Sequence, residues 1–285
     1  MPADLRSHLS SSLAAIFKRT DASLLHLTRV LSSSAGVDST LCTLCYALTL
    51  LHSQLARVLS RRYEKLAQAL VSKASLLPDE TSIAGIPPPR SRLSETCAGV
   101  KALAELIGDF RIFVRLWGFL DVYKTGRETY TKPPRDPIIK TLVWAQLGAY
   151  ATFQFLENGA YLASKGVLRG ARWARREPKW CVASNRFWMA QVLLEMLRLL
   201  RVRQLKYNED FGAEAAEDER KVKVESKELE GRWHRSFYAN AGWFPLTLHW
   251  SFEDETRSPV NETSIGVCGM VPGIVGFLDA WERTQ

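Results

Sequence analysis

The chain has 285 residues, a formal net charge of +8 and a hydrophobic fraction of 46%. That length and apolar content support a buried core and exclude wholesale disorder. A mean hydropathy of −0.12 excludes a polytopic transporter packed with long apolar helices, and five scattered cysteines exclude a disulfide framework.

Residues 4–31 place Leu5, Leu9, Leu13, Ile16, Phe17, Leu24, Leu27 and Leu31 at helical spacing, up to a break at Ser32-Ser33-Ser34-Ala35-Gly36. The first twelve residues lack a signal-peptide apolar region, and the odd cysteine count suits a reducing, cytosol-facing compartment. The chain ends Arg283-Thr284-Gln285, without a serine-lysine-leucine matrix address. Asp38 is a good N-cap for a long helix to about Leu77, amphipathic in its second half. Pro78 ends it, and residues 78–92, with Pro87-Pro88-Pro89, read as a linker.

An amphipathic helix is predicted over 95–123. Leu103, Leu106, Ile107, Phe110, Phe113, Val114 and Trp117 form its apolar face, flanked by Arg111 and Arg115. Such a helix can insert into one leaflet and bend it. It would serve equally as the core-facing side of a bundle helix. Thr125-Gly126 and the proline-rich stretch 133–137 are breaks.

The chain changes character beyond Pro137, where eight of its nine tryptophans lie. Tryptophan favours the membrane–water boundary, where the ring is buried and the N–H stays wet. Apolar helices are expected near 138–168, 184–206 and 264–281, with 207–230 a charged, solvated linker. This divides the chain into a cytosol-facing helical region, 1–136, and a membrane-associated helical region, 137–285. The run Thr141–Leu156 is uncharged and would suit a span, an interfacial helix or core. Between 165 and 206, eleven Lys and Arg are opposed only by Glu177 and Glu195. Arg169, Arg172, Arg175 and Arg176 fall in the tryptophan-bearing part of this cluster and are candidates for anionic lipid head groups. A solvated basic loop is the plain alternative.

The final run, Thr263–Leu278, is also free of charge. Gly266, Gly269, Gly273 and Gly276 recur along it at helical spacing, and such small residues let membrane helices approach closely. They read as a helix-packing and self-association face; a buried Gly-rich helix of a water-soluble domain is the alternative. A second uncharged run, Ser236–Phe252, precedes it, with Glu253-Asp254-Glu255 between the two. The expectation is a membrane hairpin over 236–281, its acidic turn lumenal and both chain ends cytosolic.

Catalytic signatures are missing. His8, His26, His52, His234 and His249 form no metal or triad pattern, and no phosphate-binding or dinucleotide loop occurs. Cys42-x-x-Cys45 sits in a helical pattern without a second ligand pair and reads as core. No enzyme activity, cofactor or metal is expected. The basic charge fits no nucleic-acid module, so no nucleic-acid partner is expected either.

Several blocks carry a resemblance. Residues 31–55, around Asp38 and His52, resemble the N-terminal helical pair of fungal peroxin-11 proteins, particularly the C-type branch. Arg111-Ile-Phe-Val-Arg115-Leu-Trp117-Gly118 resembles the end of that family's amphipathic helix. The blocks 155–166, 184–188, 240–251 and 266–276 are similar to its central and C-terminal stretches. The resemblance implies an all-α bundle with amphipathic helices and a C-terminal Gly-rich membrane helix or helical hairpin. It implies a peroxisomal membrane protein that elongates the membrane and promotes proliferation and fission. Implied partners are anionic membrane lipids, further copies of itself, a fission adaptor and a dynamin-related GTPase. The resemblance assigns membrane insertion to residues 101–123, with Phe110, Phe113 and Trp117 inserting and Arg111 and Arg115 meeting head groups. A metabolite channel and a soluble helical adaptor are the competing functions.

Overall fold

Ser91, Asp136 and Asn261 each turn a side-chain oxygen onto the backbone N–H three residues ahead, at 3.2, 2.8 and 2.9 Å. Each satisfies an otherwise orphaned donor at a helix start. Pro137 follows Asp136 at the first helical position, where its missing N–H costs nothing.

The computed structural model describes residues 18–74, 91–212 and 219–284. Helix α1 covers 18–31. It is followed by α2 (Ser34–Ala74), α3 (Arg92–Val114), a 3-10 turn at Arg115–Trp117, and α4 (Gly118–Thr131). Then come α5 (Pro137–Ser164), α6 (Ala171–Gly212), α7 (Glu219–His249) and α8 (Glu262–Arg283). No strand occurs among the described residues. The protein is all-α, as the periodicity predicts. Residues 4–17, most of the 78–92 linker, and 213–218 lie outside the described residues.

Neighbouring helices pack in the order α3, α2, α8, α7, α6, α5, α4. One core cluster joins Cys42 and Tyr46 of α2 to Leu246 of α7 and Ile265 of α8. An aromatic bridge extends it. Trp188 of α6 lies 5.8 Å from the Phe153 ring, 5.1 Å from Trp243 and 5.9 Å from Trp250. Offset aromatic pairs at such separations add to the stabilisation from burial.

Element boundaries depart from expectation in four places. Asp38 is not a cap, because α2 already begins at Ser34, with the Gly36 N–H donating to Ser33 Oγ at 3.0 Å. The helix expected over 95–123 is interrupted at 115–117, where Gly118 packs directly on the Gln154 side chain. Thr125-Gly126 does not break α4; Gly126 instead lets Leu147 of α5 approach closely. The expected linker 207–230 is helical up to Gly212 and again from Glu219. Its Glu, Lys, Arg and Ala residues are strong helix formers, so charge alone does not mark a loop.

Candidate membrane-contact surface

The four C-terminal glycines form a seam with α2. A Cβ on Gly266 would lie 2.8 Å from Leu50 Cβ, one on Gly273 2.6 Å from Thr43 Oγ1, and one on Gly276 3.1 Å from Ser39 Cβ. Gly269 faces the Tyr46 ring in the same way. The contacts advance along α8 as they retreat along α2, so the two helices are antiparallel. In this fold the four glycines pack against α2 of the same chain, which occupies this face.

By length and composition, two described helices could cross a membrane: α2, over Ser34–Ser72, and α8. The hairpin of α7 and α8 exists. Arg235 bonds Asp279 at 2.5 Å and Glu282 at 2.6 Å, and Gly242 packs on Cys268 and Pro272. Yet α7 is less apolar, because Asn240, Thr247, His249 and Pro245 dilute its uncharged run.

At the C-terminal end of α3 and in the turn after it two arginines point inward, while Glu95, Lys101 and Glu105 earlier in the helix stay exposed. Arg111 is 7% exposed, its Nε 2.8 Å from Asp38 Oδ1. Arg115 Nη2 lies 2.9 Å from Glu157 Oε1. The Gln154 and Asn158 amides donate to the Arg115 and Leu116 carbonyls at 2.7 and 3.1 Å, and Lys165 pairs with Asp109. Burial pushes the Glu157 carboxyl above the usual carboxylate range, and Arg115 beside it opposes the rise. Arg111 and Arg115 are therefore not presented to head groups in this arrangement. Acidic partners from α2 and α5, distant in sequence, draw them inward.

The apolar residues of α3 mostly face out. Leu106 is 66% exposed and Trp117 61%, and Leu103, Phe110, Phe113 and Val114 are also exposed; of the seven residues of the predicted apolar face Ile107, at 8%, is buried, beside Cys97 and Ala104. The exposed run continues on α4 through Leu120 and Tyr123. A core-facing bundle helix would show the opposite orientation. Contiguous exposed apolar surface of this kind marks a binding or membrane face.

Arg169, Arg172 and Arg175 are exposed around the start of α6. Arg176 is half-buried, 5.8 Å from the centre of the Trp173 ring. Gly166 and Gly170, both at positive φ, shape the turn that presents them. Exposed Val167 and Phe155 stand nearby, and Trp173, Trp180 and Phe155 form an aromatic cluster with ring separations of 5.4 and 5.5 Å.

Cavities of about 1060 and 570 Å³ lie between the described helices. Arg111 lines both.

This architecture defines an all-helical protein with outward-facing apolar helices, a basic aromatic patch, and two helices able to cross a bilayer. The family model described as Peroxisomal biogenesis factor 11 (PEX11) matches residues 90–281, and the chain belongs to that family. No curated protein and no solved structure matches the chain. The match is to the family as a whole and does not single out the C-type branch. Membership makes this a peroxisome biogenesis factor, of a family that is not enzymatic, associated with the peroxisomal membrane.

Proposed function

We propose that this protein remodels and elongates the peroxisomal membrane and so promotes peroxisome proliferation and fission. The observation that carries this reading is the orientation of α3. Arg111 and Arg115 are drawn inward by Asp38 and Glu157 while Leu106, Phe110, Phe113 and Trp117 face outward. An apolar ridge on one side of the protein, set into one leaflet, expands that leaflet relative to the other and favours curvature. The basic patch at Arg169, Arg172 and Arg175 adds attraction to anionic head groups. Self-association and contact with a fission adaptor and a dynamin-related GTPase belong to the same proposal. Self-association would use a surface other than the glycine seam.

The test is deformation of anionic liposomes by the full chain, compared with Phe113→Glu and Leu106→Glu. Both side chains are exposed, so the fold should survive. Loss of tubules with either variant is the expected result. Undiminished tubulation by both would refute the leaflet mechanism. Peroxisome number and length in cells carrying the same variants give the physiological readout.

A second reading, a conduit for small metabolites, is favoured by one feature. The two cavities approach each other at Arg111, which lines both. If Arg111 closes such a path, Arg111→Ala should raise the conductance of the protein in planar bilayers; no conductance from either form would remove this reading.

A further inference from the structure

The exposed apolar ridge keeps a heptad spacing. Leu103, Leu106, Phe110, Phe113, Trp117 and Leu120 follow one another at alternating intervals of three and four residues. In an α-helix such a row drifts by about 20° per heptad, so an unbroken helix would carry Trp117 and Leu120 about 40° behind Leu103 and Leu106. The 3-10 turn at Arg115–Trp117 stands between the two halves of the row. Three residues of 3-10 helix turn about 60° further than three of α-helix. The turn therefore offsets the drift to within about 20°, and the row stays exposed on both sides of it.

The local sequence does not explain the turn. Arg115 and Leu116 are good helix formers, and neither α3 nor α4 contains a proline. A break in a helix needs a proline, a glycine, a bulge or an inserted side chain. Here α5 inserts side chains from three positions. Gln154 Nε2 donates to the Arg115 carbonyl at 2.7 Å, and Asn158 Nδ2 to the Leu116 carbonyl at 3.1 Å. Between them Glu157 Oε1 accepts from Arg115 Nη2 at 2.9 Å. Those two carbonyls are the ones that an unbroken helix gives to the N–H groups of Phe119 and Leu120. Arg115 and Trp117 accordingly have ψ of −3° and 6°, against about −42° in an α-helix. Gly118 permits the approach, because a Cβ there would overlap the Gln154 amide.

Helix α5 runs antiparallel behind both halves of the ridge, with Lys165 at Asp109, Gln154 at Gly118 and Leu147 at Gly126. Apolar side chains would serve packing alone more simply. The polar contacts leave Arg115 Nε, Gln154 Oε1, Glu157 Oε2 and Asn158 Oδ1 buried without a protein partner. A fold carries such groups where the arrangement serves something besides stability.

We infer that Gln154, Glu157 and Asn158 are positioning residues for membrane contact: they clamp the 3-10 turn that keeps the α3 and α4 halves of the ridge facing one way. This rests on the leaflet reading above and deepens it. The ridge touches lipid, and the clamp on α5 sets how much of it does so at once.

The experiment places an environment-sensitive fluorescent amino acid at Leu106, Phe113 or Leu120 of the full chain, one at a time. Its depth in vesicles of phosphatidylcholine and phosphatidylserine is read by quenching with lipids brominated at known acyl positions. With the clamp intact, the three positions should report a common depth. Gln154→Met with Asn158→Ala removes both amide donors. Leu106 and Phe113 should then keep their depth while Leu120 becomes shallower by about 3 Å, the displacement for a ~60° roll of a helix of ~5–6 Å radius. Gly118→Ala, which pushes the Gln154 amide away from the other side of the contact, should give the same shift. A merely structural role would weaken insertion at all three positions together, without separating Leu120 from Leu106. That result, or an unchanged Leu120 depth in both variants, would overturn the positioning role. Absence of insertion by the parent chain at every position would instead overturn the leaflet reading, and the clamp with it.

Discussion

Gly269 of α8 lies directly against the ring of Tyr46, so that any side chain at 269 would overlap ring carbons. The seam around it joins two helices separated by about two hundred residues of sequence, and it tolerates no bulk. Gly269→Val should lower stability by about 1–3 kcal/mol, the usual cost of overpacking a close contact, with the backbone shift felt as far as Gly273. Gly148 of α5 provides the contrast. A Cβ there would meet nothing within 4 Å, so Gly148→Ala should raise stability by up to about 1 kcal/mol through helix propensity alone. Thermal unfolding of the purified chain in mild detergent reads both. Equal effects of the two substitutions would contradict the close seam.

The Asp38–Arg111 pair is asymmetric. The Arg111 side chain is buried while Asp38 is half exposed. Removing the acid leaves a buried guanidinium without its partner, whereas removing the base leaves a carboxylate that water can solvate. Asp38→Ala should therefore cost about 2–3 kcal/mol, more than Arg111→Met, whose apolar stem can refill part of the space. The order of the two, measured by denaturant titration in the same detergent, is the prediction. The reverse order would mean that Arg111 contributes mainly through packing.

How much of this was legible beforehand depended on sequence distance. Helix type could be read from local spacing, so α2, α5 and α8 were expected close to where they lie, and Gly266, Gly269, Gly273 and Gly276 declared a close approach. The identity of what approached them could not be read, because Ser39, Thr43, Tyr46 and Leu50 resemble any mixed helix face. The same limit applies at Arg111 and Arg115. Beside an apolar helix face, two arginines look like head-group ligands; only the fold brings Asp38 and Glu157 to them. Thr125-Gly126 was read as a break because glycine is a poor helix former, and the close contact with Leu147 that makes glycine useful there is tertiary.

Asp136 gives a pH-dependent prediction. A hydrogen bond from Arg201 and another from the Ile139 N–H hold its carboxyl below the usual range. A carboxyl lowered in the folded state stabilises the fold above its unfolded pKa and loses that contribution as pH falls through its folded pKa. Asp136→Asn keeps a competent cap but removes the charge facing Arg201. The variant should melt below the parent at pH 6–7, and the gap should close as pH drops below about 4, where the parent's own carboxyl is protonated in the unfolded chain. Melting curves across that range test it; a gap independent of pH would assign the effect to capping alone.

The basic patch should respond to lipid charge and to salt together. Arg169, Arg172 and Arg175 are exposed, and no ion pair to them occurs among the described residues. They stand beside Trp173 and the exposed Val167, an apolar edge that would bring the cations to head-group depth. Each near-surface Lys or Arg contributes about 1 kcal/mol to attraction by an anionic leaflet. Converting all three to glutamine should then weaken binding of the detergent-depleted chain to anionic vesicles by on the order of a hundredfold at low salt. The difference should shrink as ionic strength approaches ~1 M, where the Debye length falls to ~3 Å. Neutral vesicles should bind parent and variant alike. Because these side chains make no described interhelical ion pair, the melting temperature should be unchanged, which separates lost lipid attraction from lost fold. Equal binding to anionic vesicles at low salt would reduce the patch to a solvated turn and leave membrane contact to the apolar face of α3 and α4.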